Sequence, residues 1–143
     1  MRSDPFSALT QLLSTALGPV LLPADNFADL MDEDVHFEFP YAPNGYPNLI
    51  VGRGNLQRHL SSVAKIMTLQ NIKLRSCIIS AGDDMAVLEF SAEAALSSRN
   101  AIYDQDYISV IHLKEGKIRL YRDYWNPLRV LDCIKVEDIH DAT

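Results

Sequence analysis

The sequence predicts an α+β fold in which helices cover one face of a curved antiparallel sheet. Two observations lead to this fold class. Apolar residues recur at helical spacing over much of the chain before Asn71, whereas they alternate with period two from Asn71 to Trp125. The period-two segments are joined by short connections, which predict hairpins and an antiparallel meander. A sheet wrapped around segregated helices leaves a cone whose mouth can admit a small ligand.

Three helical segments are predicted before Asn71. The first begins at Asp4-Pro5, which have the character of an N-cap and a first-turn proline, and it ends at Gly18-Pro19. A shorter helical stretch follows over residues 23–31. The third helix carries a regular apolar stripe formed by Leu56, Leu60, Val63 and Met67.

One strand is predicted before the third helix and four after it. Residues 34–41 alternate, with the phenylalanines on one face and His36 and Glu38 on the other, and Pro40 favours an edge strand. Residues 41–54 are rich in Pro, Gly and Asn and are predicted to form a loop. The four later strands are predicted over residues 71–80, 84–96, 103–116 and 117–125.

Composition limits the function classes. The 143 residues are 48% hydrophobic and 22% charged, which is typical of one globular domain over residues 1–143. The net charge is −6 and the 13 basic residues are scattered, so we expect no nucleic-acid partner. Polar residues interrupt the apolar N-terminal stretch, and no apolar run is long enough to cross a bilayer. We therefore expect no secretory signal, no membrane association and a cytoplasmic location.

No metal site is predicted. The two cysteines, Cys77 and Cys133, lie far apart without metal-ligand spacing, and we expect both to be reduced thiols. His36 and His59 have no acidic or cysteine neighbours at the spacing of metal ligands. The sequence also contains no Ser-His-Asp order, nucleophile elbow or glycine-rich phosphate loop.

Several motifs resemble those of one family. The helical hairpin, the strand ending FEFPYAPNG, the helix GRGNLQRHL and the closing strand EGKIRLYRDYWNP resemble the SnoaL-like members of the nuclear-transport-factor-2-like (NTF2-like) superfamily. The resemblance covers essentially the whole chain and implies a cone-shaped α+β fold. The superfamily includes polyketide cyclases, ketosteroid isomerases and limonene-epoxide hydrolases, as well as non-catalytic binding and dimerisation modules. The fold alone therefore leaves the activity open.

The resemblance is incomplete at functional positions. Ketosteroid isomerases have a general-base carboxylate before the proline that ends the first strand, where this chain has Phe39. Ketosteroid isomerases also use a tyrosine and a protonated aspartate as oxyanion donors. That aspartate corresponds to Ser109 in this chain, and the first helix has no tyrosine. Limonene-epoxide hydrolases end with a similar strand whose first aspartate helps to activate water, and Asp123 matches it. Their Arg-x-Asp partner corresponds to Ser91 and Glu93, so the resemblance implies two acids without the arginine.

Strand alternation gives an independent reason to single out Asp123. It shares one face of its strand with Tyr121 and Trp125, whereas Arg122 and Tyr124 lie on the other face. If the aromatic face points inward, desolvation raises the pKa of the carboxyl towards neutrality, where it can exchange protons with a substrate. The alternative is that Asp123 forms an ion pair at the surface.

Residues of the two preceding strands complete the candidate site. Glu93 is predicted either to face Asp123 inside the cone, where two carboxyls would share a proton, or to lie on the solvated face with Glu89. Tyr103, Tyr107 and Ser109 lie on one face of the strand before the last. Their hydroxyls either orient a substrate oxygen, or the tyrosine hydroxyls are simply the solvated ends of side chains whose rings are buried. The candidate ligand-binding residues are Phe39, Tyr41, Tyr103, Tyr107, Ser109, Tyr121 and Trp125.

The favoured function is cofactor-free acid–base catalysis on a small, hydrophobic, oxygenated molecule: isomerisation, cyclisation or epoxide opening, with Asp123 and Glu93 as catalytic residues. This function requires an open pocket of roughly a few hundred Å³. The alternative is a non-catalytic ligand-binding or dimerisation module, in which aliphatic side chains fill the cone and Asp123 forms a surface ion pair. Apolar residues on the outer face of the sheet predict a homodimer, as is usual in the superfamily.

Overall fold

The computed structural model describes residues 4–98 and 100–140, with side chains up to residue 138. The strands are β1 (Met31–Glu38), β2 (Leu49–Val51), β3 (Met67–Ile79), β4 (Met85–Leu96), β5 (Ile102–Lys114) and β6 (Lys117–Trp125). The helices are α1 (Ser7–Leu17), α2 (Arg53–Ala64), α3 (Pro127–Cys133) and α4 (Val136–His140). Within the described residues, no helix combines the length and the apolar character needed to cross a membrane.

The six strands form a curved sheet in the order β2-β1-β6-β5-β4-β3. The four long strands form the predicted meander, in which each strand pairs antiparallel with the next. β1 pairs parallel with β6, so the closing strand of the chain lies beside the first strand. The predicted α+β fold class, with helices on one face of a mainly antiparallel sheet, is confirmed.

The sheet has two faces with different environments. We call the face that packs against α1 and α2 the inner face, and the opposite one the outer face. Inner side chains are even-numbered in β4 and odd-numbered in β5, and Leu88 and Ser109 are one such facing pair. The fully buried core between the inner face and the helices includes Leu13, Leu17, Leu56, Leu88 and Ile111. Each such side chain contributes about 1.5–3 kcal/mol to folding.

Two predictions for the first half of the chain are wrong. Residues 23–31 do not form a regular helix; they contain a single 3₁₀ turn over Ala28–Leu30, and β1 begins at Met31. The side chain of Asn26 accepts a hydrogen bond from the backbone N–H of Asp29 (3.0 Å), which closes this turn locally. β1 is also not an edge strand, because β2, which lies in the segment predicted to be a loop, pairs with its free side.

Two short helices, α3 and α4, follow the last strand and lie outside the predicted elements. Asn126 is the N-cap of α3, since its side-chain oxygen accepts from the N–H of Leu128 (3.0 Å), and Pro127 takes the first helical position. The side chain of Gln105 accepts from the N–H of Asn126 and donates to its carbonyl, both at 2.9 Å. A buried amide of β5 therefore ties the start of α3 to the sheet.

Candidate active site

A pocket of about 150 Å³ lies between the inner face of the sheet and α2. Its wall is mainly apolar and rich in rings. Phe37 stacks on Tyr121 with centroids 4.4 Å apart, and Phe39 lies 6.1 Å from Trp125. Aromatic pairs at such distances stabilise a wall by about 0.5–1.5 kcal/mol beyond the burial of their area. The rings that line the pocket include Phe27, Phe37, Phe39, Phe90, Tyr121 and Trp125.

Asp123 lies on the wall of this pocket. It lines the pocket together with Tyr121 and Trp125, whereas Arg122 lies on the outer face with its guanidinium 3.6 Å from Glu38. Of the two alternatives for Asp123, the inward orientation is the one found, and Asp123 and Arg122 straddle the sheet. Strand alternation therefore places the carboxyl of Asp123 among aromatic side chains.

The carboxyl of Asp123 is poorly solvated. Its Oδ1 atom is buried and has no hydrogen-bond partner among the described residues. Burial raises the pKa of Asp123 from 3.8 to about 8, and a hydrogen bond with Ser109 offsets the rise only in part. At pH 7 the carboxyl is therefore mostly protonated, and Oδ1 remains available to a ligand.

Ser109 lies one layer behind the pocket wall. It is directly opposite Asp123 in the β5–β6 ladder, and its side chain is fully buried. Its hydroxyl lies 2.8 Å from the hydroxyl of Tyr121, with which it shares a hydrogen bond. The prediction that Ser109 contacts a ligand is not supported by this position, since the residue does not line the pocket. It instead positions two side chains that do.

Tyr103 and Tyr107 line the pocket and form a second hydrogen-bonded group. The hydroxyl of Tyr103 accepts from the side-chain amide of Gln105 (2.7 Å). The bond between the two tyrosines lowers the pKa of Tyr103 and raises that of Tyr107, as expected when Tyr107 donates and Tyr103 accepts. Burial, as the largest effect, raises the pKa of both above 10, so both hydroxyls keep their protons at neutral pH.

His59 lines the pocket although it was not a predicted site residue. Its ring lies 5.6 Å from that of Phe39, and burial lowers the pKa of the imidazole, which is therefore neutral at pH 7. A signal for this position is present in the sequence. His59 follows Leu56 by three residues and precedes Val63 by four, and helical spacing places all three on one face of α2.

The segment from α3 to Ile134 and the loop after β1 meet at the pocket. Tyr46 and Pro47 of the loop line it, as do Val130 of α3 and Ile134. The hydroxyl of Tyr46 donates to the backbone carbonyl of Ile134, 88 residues later in the chain. No local sequence pattern reports a contact over this separation.

Glu93 does not lie in the pocket. It pairs with Asp104 across β4 and β5, on the odd-numbered outer positions of β4. Its carboxylate accepts from the side-chain amide of Asn71 (3.1 Å). The prediction that Glu93 faces Asp123 inside the cone is therefore wrong, and the alternative, a position on the outer face, is correct. The physical reason is the period of the strand, since Phe90 on the inner face puts residue 93 on the outer one.

Two other expectations also need correction. Tyr41 is 58% exposed and packs edge-on against Tyr124, with ring centroids 5.3 Å apart, so its predicted place in the pocket is wrong. The pocket volume of about 150 Å³ is smaller than the roughly few hundred Å³ expected of an enzyme pocket. Among the described residues, however, Asp123 forms no surface ion pair of the kind expected for a non-catalytic module.

Comparisons with known proteins identify the family. The sequence profile of the SnoaL-like domain matches residues 23–121. The Bacillus subtilis protein YesE is 36% identical over 108 residues, which cover 76% of this chain and 74% of that protein. A crystal structure of a Bacillus subtilis protein provisionally named an isomerase matches with a TM-score of 0.70 and 27% identity, over 100% of this chain and 98% of the other.

A further structure supports the fold. An NTF2-like protein from Anabaena variabilis has a TM-score of 0.61 at 18% identity, with 88% of this chain and 93% of the other covered. The resemblance that the sequence motifs carried is thus confirmed at the level of family and fold. Because the profile matches more than half of its length and the resemblance to YesE reaches 36% identity, the chain belongs to the SnoaL-like family and has the NTF2-like fold.

Proposed function

We propose that this protein is a cofactor-free isomerase that moves a proton within a small, hydrophobic, oxygenated substrate, with Asp123 as the acid. The observation that carries the proposal is the buried, unpartnered Oδ1 of Asp123 in an apolar pocket. An unpartnered buried oxygen costs about 1–3 kcal/mol, which a hydrogen-bonding ligand would recover. The Bacillus subtilis structure at 27% identity, provisionally named an isomerase, supports the same reaction class.

Asp123 supplies the acid because it keeps its proton at neutral pH. With a pKa raised to about 8 by burial, the carboxyl can donate through Oδ1 to a substrate carbonyl oxygen. An apolar site that holds a carboxylic acid neutral turns it into a hydrogen-bond donor. Tyr103, whose pKa burial raises above 10, keeps its proton as well and adds a donor near the same oxygen.

His59 is the proposed base. Burial lowers its pKa, so the neutral imidazole can remove a proton from the carbon next to the carbonyl. The electron pair of the broken C–H bond forms the double bond of an enol, whose oxygen carries the proton from Asp123. When the substrate has a double bond between its β and γ carbons, this enol is a dienol. The imidazolium then returns the proton to the γ carbon, the carbon–carbon double bond shifts into conjugation with the carbonyl, and Asp123 recovers the proton on oxygen. The product is an isomer, with no net change in atoms or charge.

The alternative reactions fit the site less well. Epoxide opening by water needs a carboxylate that activates the water, but Asp123 is protonated at neutral pH and Glu93 lies on the outer face. Cyclisation of an extended chain needs more room than about 150 Å³. A non-catalytic ligand carrier is the remaining alternative, and it differs from the isomerase in a measurable way because it moves no protons.

Hydrogen exchange at a small ketone tests the proposal without knowledge of the natural substrate. Cyclopentanone is neutral and has a smaller ring than benzene, so pocket size does not exclude it. Its α-protons exchange with D₂O whenever an acid and a base enolise it. We expect the protein to accelerate this exchange, followed by ¹H NMR at pH 7. We expect Asp123→Asn to lower the protein-dependent rate by about 10²–10⁴-fold.

Glu93→Gln is the matched control, because it neutralises a carboxyl on the outer face of the same sheet. This variant should keep the wild-type exchange rate, and circular dichroism should show that both variants are folded. Equal rates for wild type and Asp123→Asn, or no exchange above that of the buffer, would overturn the isomerase proposal and favour the ligand carrier.

We also propose that two copies of the chain associate through the outer face. Contiguous apolar residues on the surface of a monomer mark an interaction site when they form a patch. The outer face presents such residues, with exposed fractions between 37% and 68%, on three adjacent strands. They are Ile78, Met85 and Ile108, whereas Asp104 and Asp106 separate the exposed Ile102 from this group.

A further inference from the structure

We propose that the pocket selects uncharged carbonyl compounds with a single ring and rejects carboxylates and fused-ring compounds. This inference rests on the proposed function, because it names the substrate class of the same site. Three features of the pocket carry it: its volume, the charges of the described residues on its wall, and the arrangement of its hydrogen-bonding groups.

The volume limits the substrate to one ring. An apolar protein cavity of roughly 150 Å³ holds benzene, whereas drug-sized ligands occupy pockets of about 300–1,000 Å³. The pocket here, at about 150 Å³, matches the first case. Its wall resists expansion, since Phe37 stacks on Tyr121 at 4.4 Å and Phe90 stacks on Tyr107 at 5.0 Å. Close-packed rings of this kind move only at a cost in packing energy.

The charges on the wall exclude an anionic substrate. Among the described residues, no Lys or Arg lines the pocket. Arg122 is on the outer face with Glu38, and Arg129 pairs with an aspartate of β5 away from the pocket. His59, which does line the wall, is neutral because burial lowers its pKa. A carboxylate buried without a cation costs several kcal/mol, so the pocket favours a neutral ligand.

The hydrogen-bonding groups match a single carbonyl oxygen. Oδ1 of Asp123 is unpartnered. The hydroxyl of Tyr121 accepts from Ser109 at 2.8 Å and that of Tyr103 accepts from Gln105 at 2.7 Å, so each hydroxyl keeps its own proton to donate. A ligand with several hydroxyls would leave some of them unpaired in an apolar pocket, which is unfavourable. One carbonyl on a flat ring can accept from Asp123 and from Tyr103 through its two lone pairs, and it places its ring against aromatic faces.

The single tryptophan of the chain reports on binding. Trp125 lines the pocket, so its indole N–H resonance in ¹H–¹⁵N NMR spectra responds to a bound ring. The probes are acetophenone, benzoate and 2-acetonaphthone. Benzoate has as many non-hydrogen atoms as acetophenone but carries a negative charge, and 2-acetonaphthone adds one fused ring. We expect acetophenone to bind with a Kd at least about tenfold lower than either other probe, equivalent to about 1.4 kcal/mol.

Leu60→Ala tests the size argument directly. Leu60 lines the pocket from α2, so its truncation enlarges the space, and we expect 2-acetonaphthone to gain affinity relative to acetophenone. Leu120→Ala is the control, because Leu120 pairs with His112 on the outer face, and it should leave the preference unchanged. A folded Leu60→Ala protein with the wild-type preference contradicts the size argument.

Two results would overturn the substrate class. One is benzoate or 2-acetonaphthone binding as tightly as acetophenone, and the other is the lack of a saturable shift with acetophenone. Both are separable from failure of the proposed function. Acetophenone that binds in a protein without exchange activity refutes the isomerase alone. Exchange of cyclopentanone by a protein that does not bind acetophenone refutes the substrate class alone.

Discussion

The two faces of the sheet carry side chains of the same types in different surroundings. On the inner face, Asp123 has a buried, unpartnered Oδ1 and a pKa raised to about 8. On the outer face, the carboxylate of Glu93 accepts from the side-chain amide of Asn71. Both residues are acids on the same meander, and only one of them is desolvated. An acid that can exchange protons near pH 7 is therefore recognised by its face and its neighbours, and residue type alone does not identify it.

The contrast extends to other residue types and supplies matched controls. His59 lines the pocket, whereas His36 is exposed on the outer face of β1. Ser109 is buried against Tyr121, whereas Ser91 faces outward opposite Asp106. Each pair has one member near the proposed chemistry and one remote from it. Substitution of both members separates an effect on the site from a general effect of losing that side chain.

The largest effect in such a comparison is expected for the histidines. His59→Gln removes the proposed base, and we expect the exchange of cyclopentanone to fall by about 10²–10⁴-fold. His36→Gln should leave the rate unchanged because His36 is exposed on the outer face. ¹H NMR of the ketone in D₂O measures both. Equal rates for the two variants would remove His59 from the mechanism and leave water or another group as the base.

The next effect concerns the pH dependence of stability. The pKa of Asp123 is raised from 3.8 to about 8 in the folded protein. Between these values the unfolded chain has lost the proton that the folded protein still holds, so stability falls as pH rises and levels off above pH 8. The slope is about 1.36 kcal/mol per pH unit, which amounts to several kcal/mol as an upper limit.

Urea unfolding at pH 5, 7 and 9 measures this loss when wild type is compared with Asp123→Asn. The amide does not titrate, so the difference in free energy of unfolding between the two proteins should shift in favour of the variant as pH rises. Glu93→Gln should follow the pH dependence of the wild type more closely than Asp123→Asn does. A wild-type curve parallel to that of Asp123→Asn would contradict the raised pKa.

The inner face of β6 was predictable throughout, whereas the pattern in β4 is clear at Phe90 and weak around position 93. In β6, Asp123 alternates with the rings of Tyr121 and Trp125, and large rings strongly favour burial. In β4, the inner neighbours of position 93 are Ala92 and Ala94, which are buried but small. Alternation between alanines and acids gives a weak hydrophobic contrast, so the sequence left both faces open for Glu93.

Other features depend on contacts that no local pattern reports. β2 has three residues, too few to show a period, and it forms because β1 offers an unpaired edge. Tyr46 reaches the carbonyl of Ile134 only after the chain has passed through the whole meander. The pocket is closed by such long-range pairs, which explains why its size could not be predicted from strand alternation.

A smaller effect is expected from Ser109→Ala. The Ser109 hydroxyl lowers the pKa of Asp123, so its loss should raise that pKa further and extend acid-dependent exchange to higher pH. The lost hydrogen bond with Tyr121 should also cost about 1 kcal/mol of stability. The pH profile of cyclopentanone exchange separates the two effects, because destabilisation alone does not move its alkaline limb. Ser91→Ala should leave that limb in place; a shift in both variants, or in neither, contradicts the positioning role.

A substitution on the outer face is expected to have the smallest effect on the exchange rate. Ile108 is 43% exposed and lies between Glu89 and Tyr124 on neighbouring strands, within the proposed association surface. Ile108→Asp places a charge there, which is costly to bury between two copies of the chain. Sedimentation equilibrium should show a dimer for wild type and a monomer for the variant, with the exchange rate per chain unchanged. A monomeric wild type would remove the dimer. A variant that dissociates and also loses exchange would show that the two faces are coupled, in contradiction to the separation drawn above.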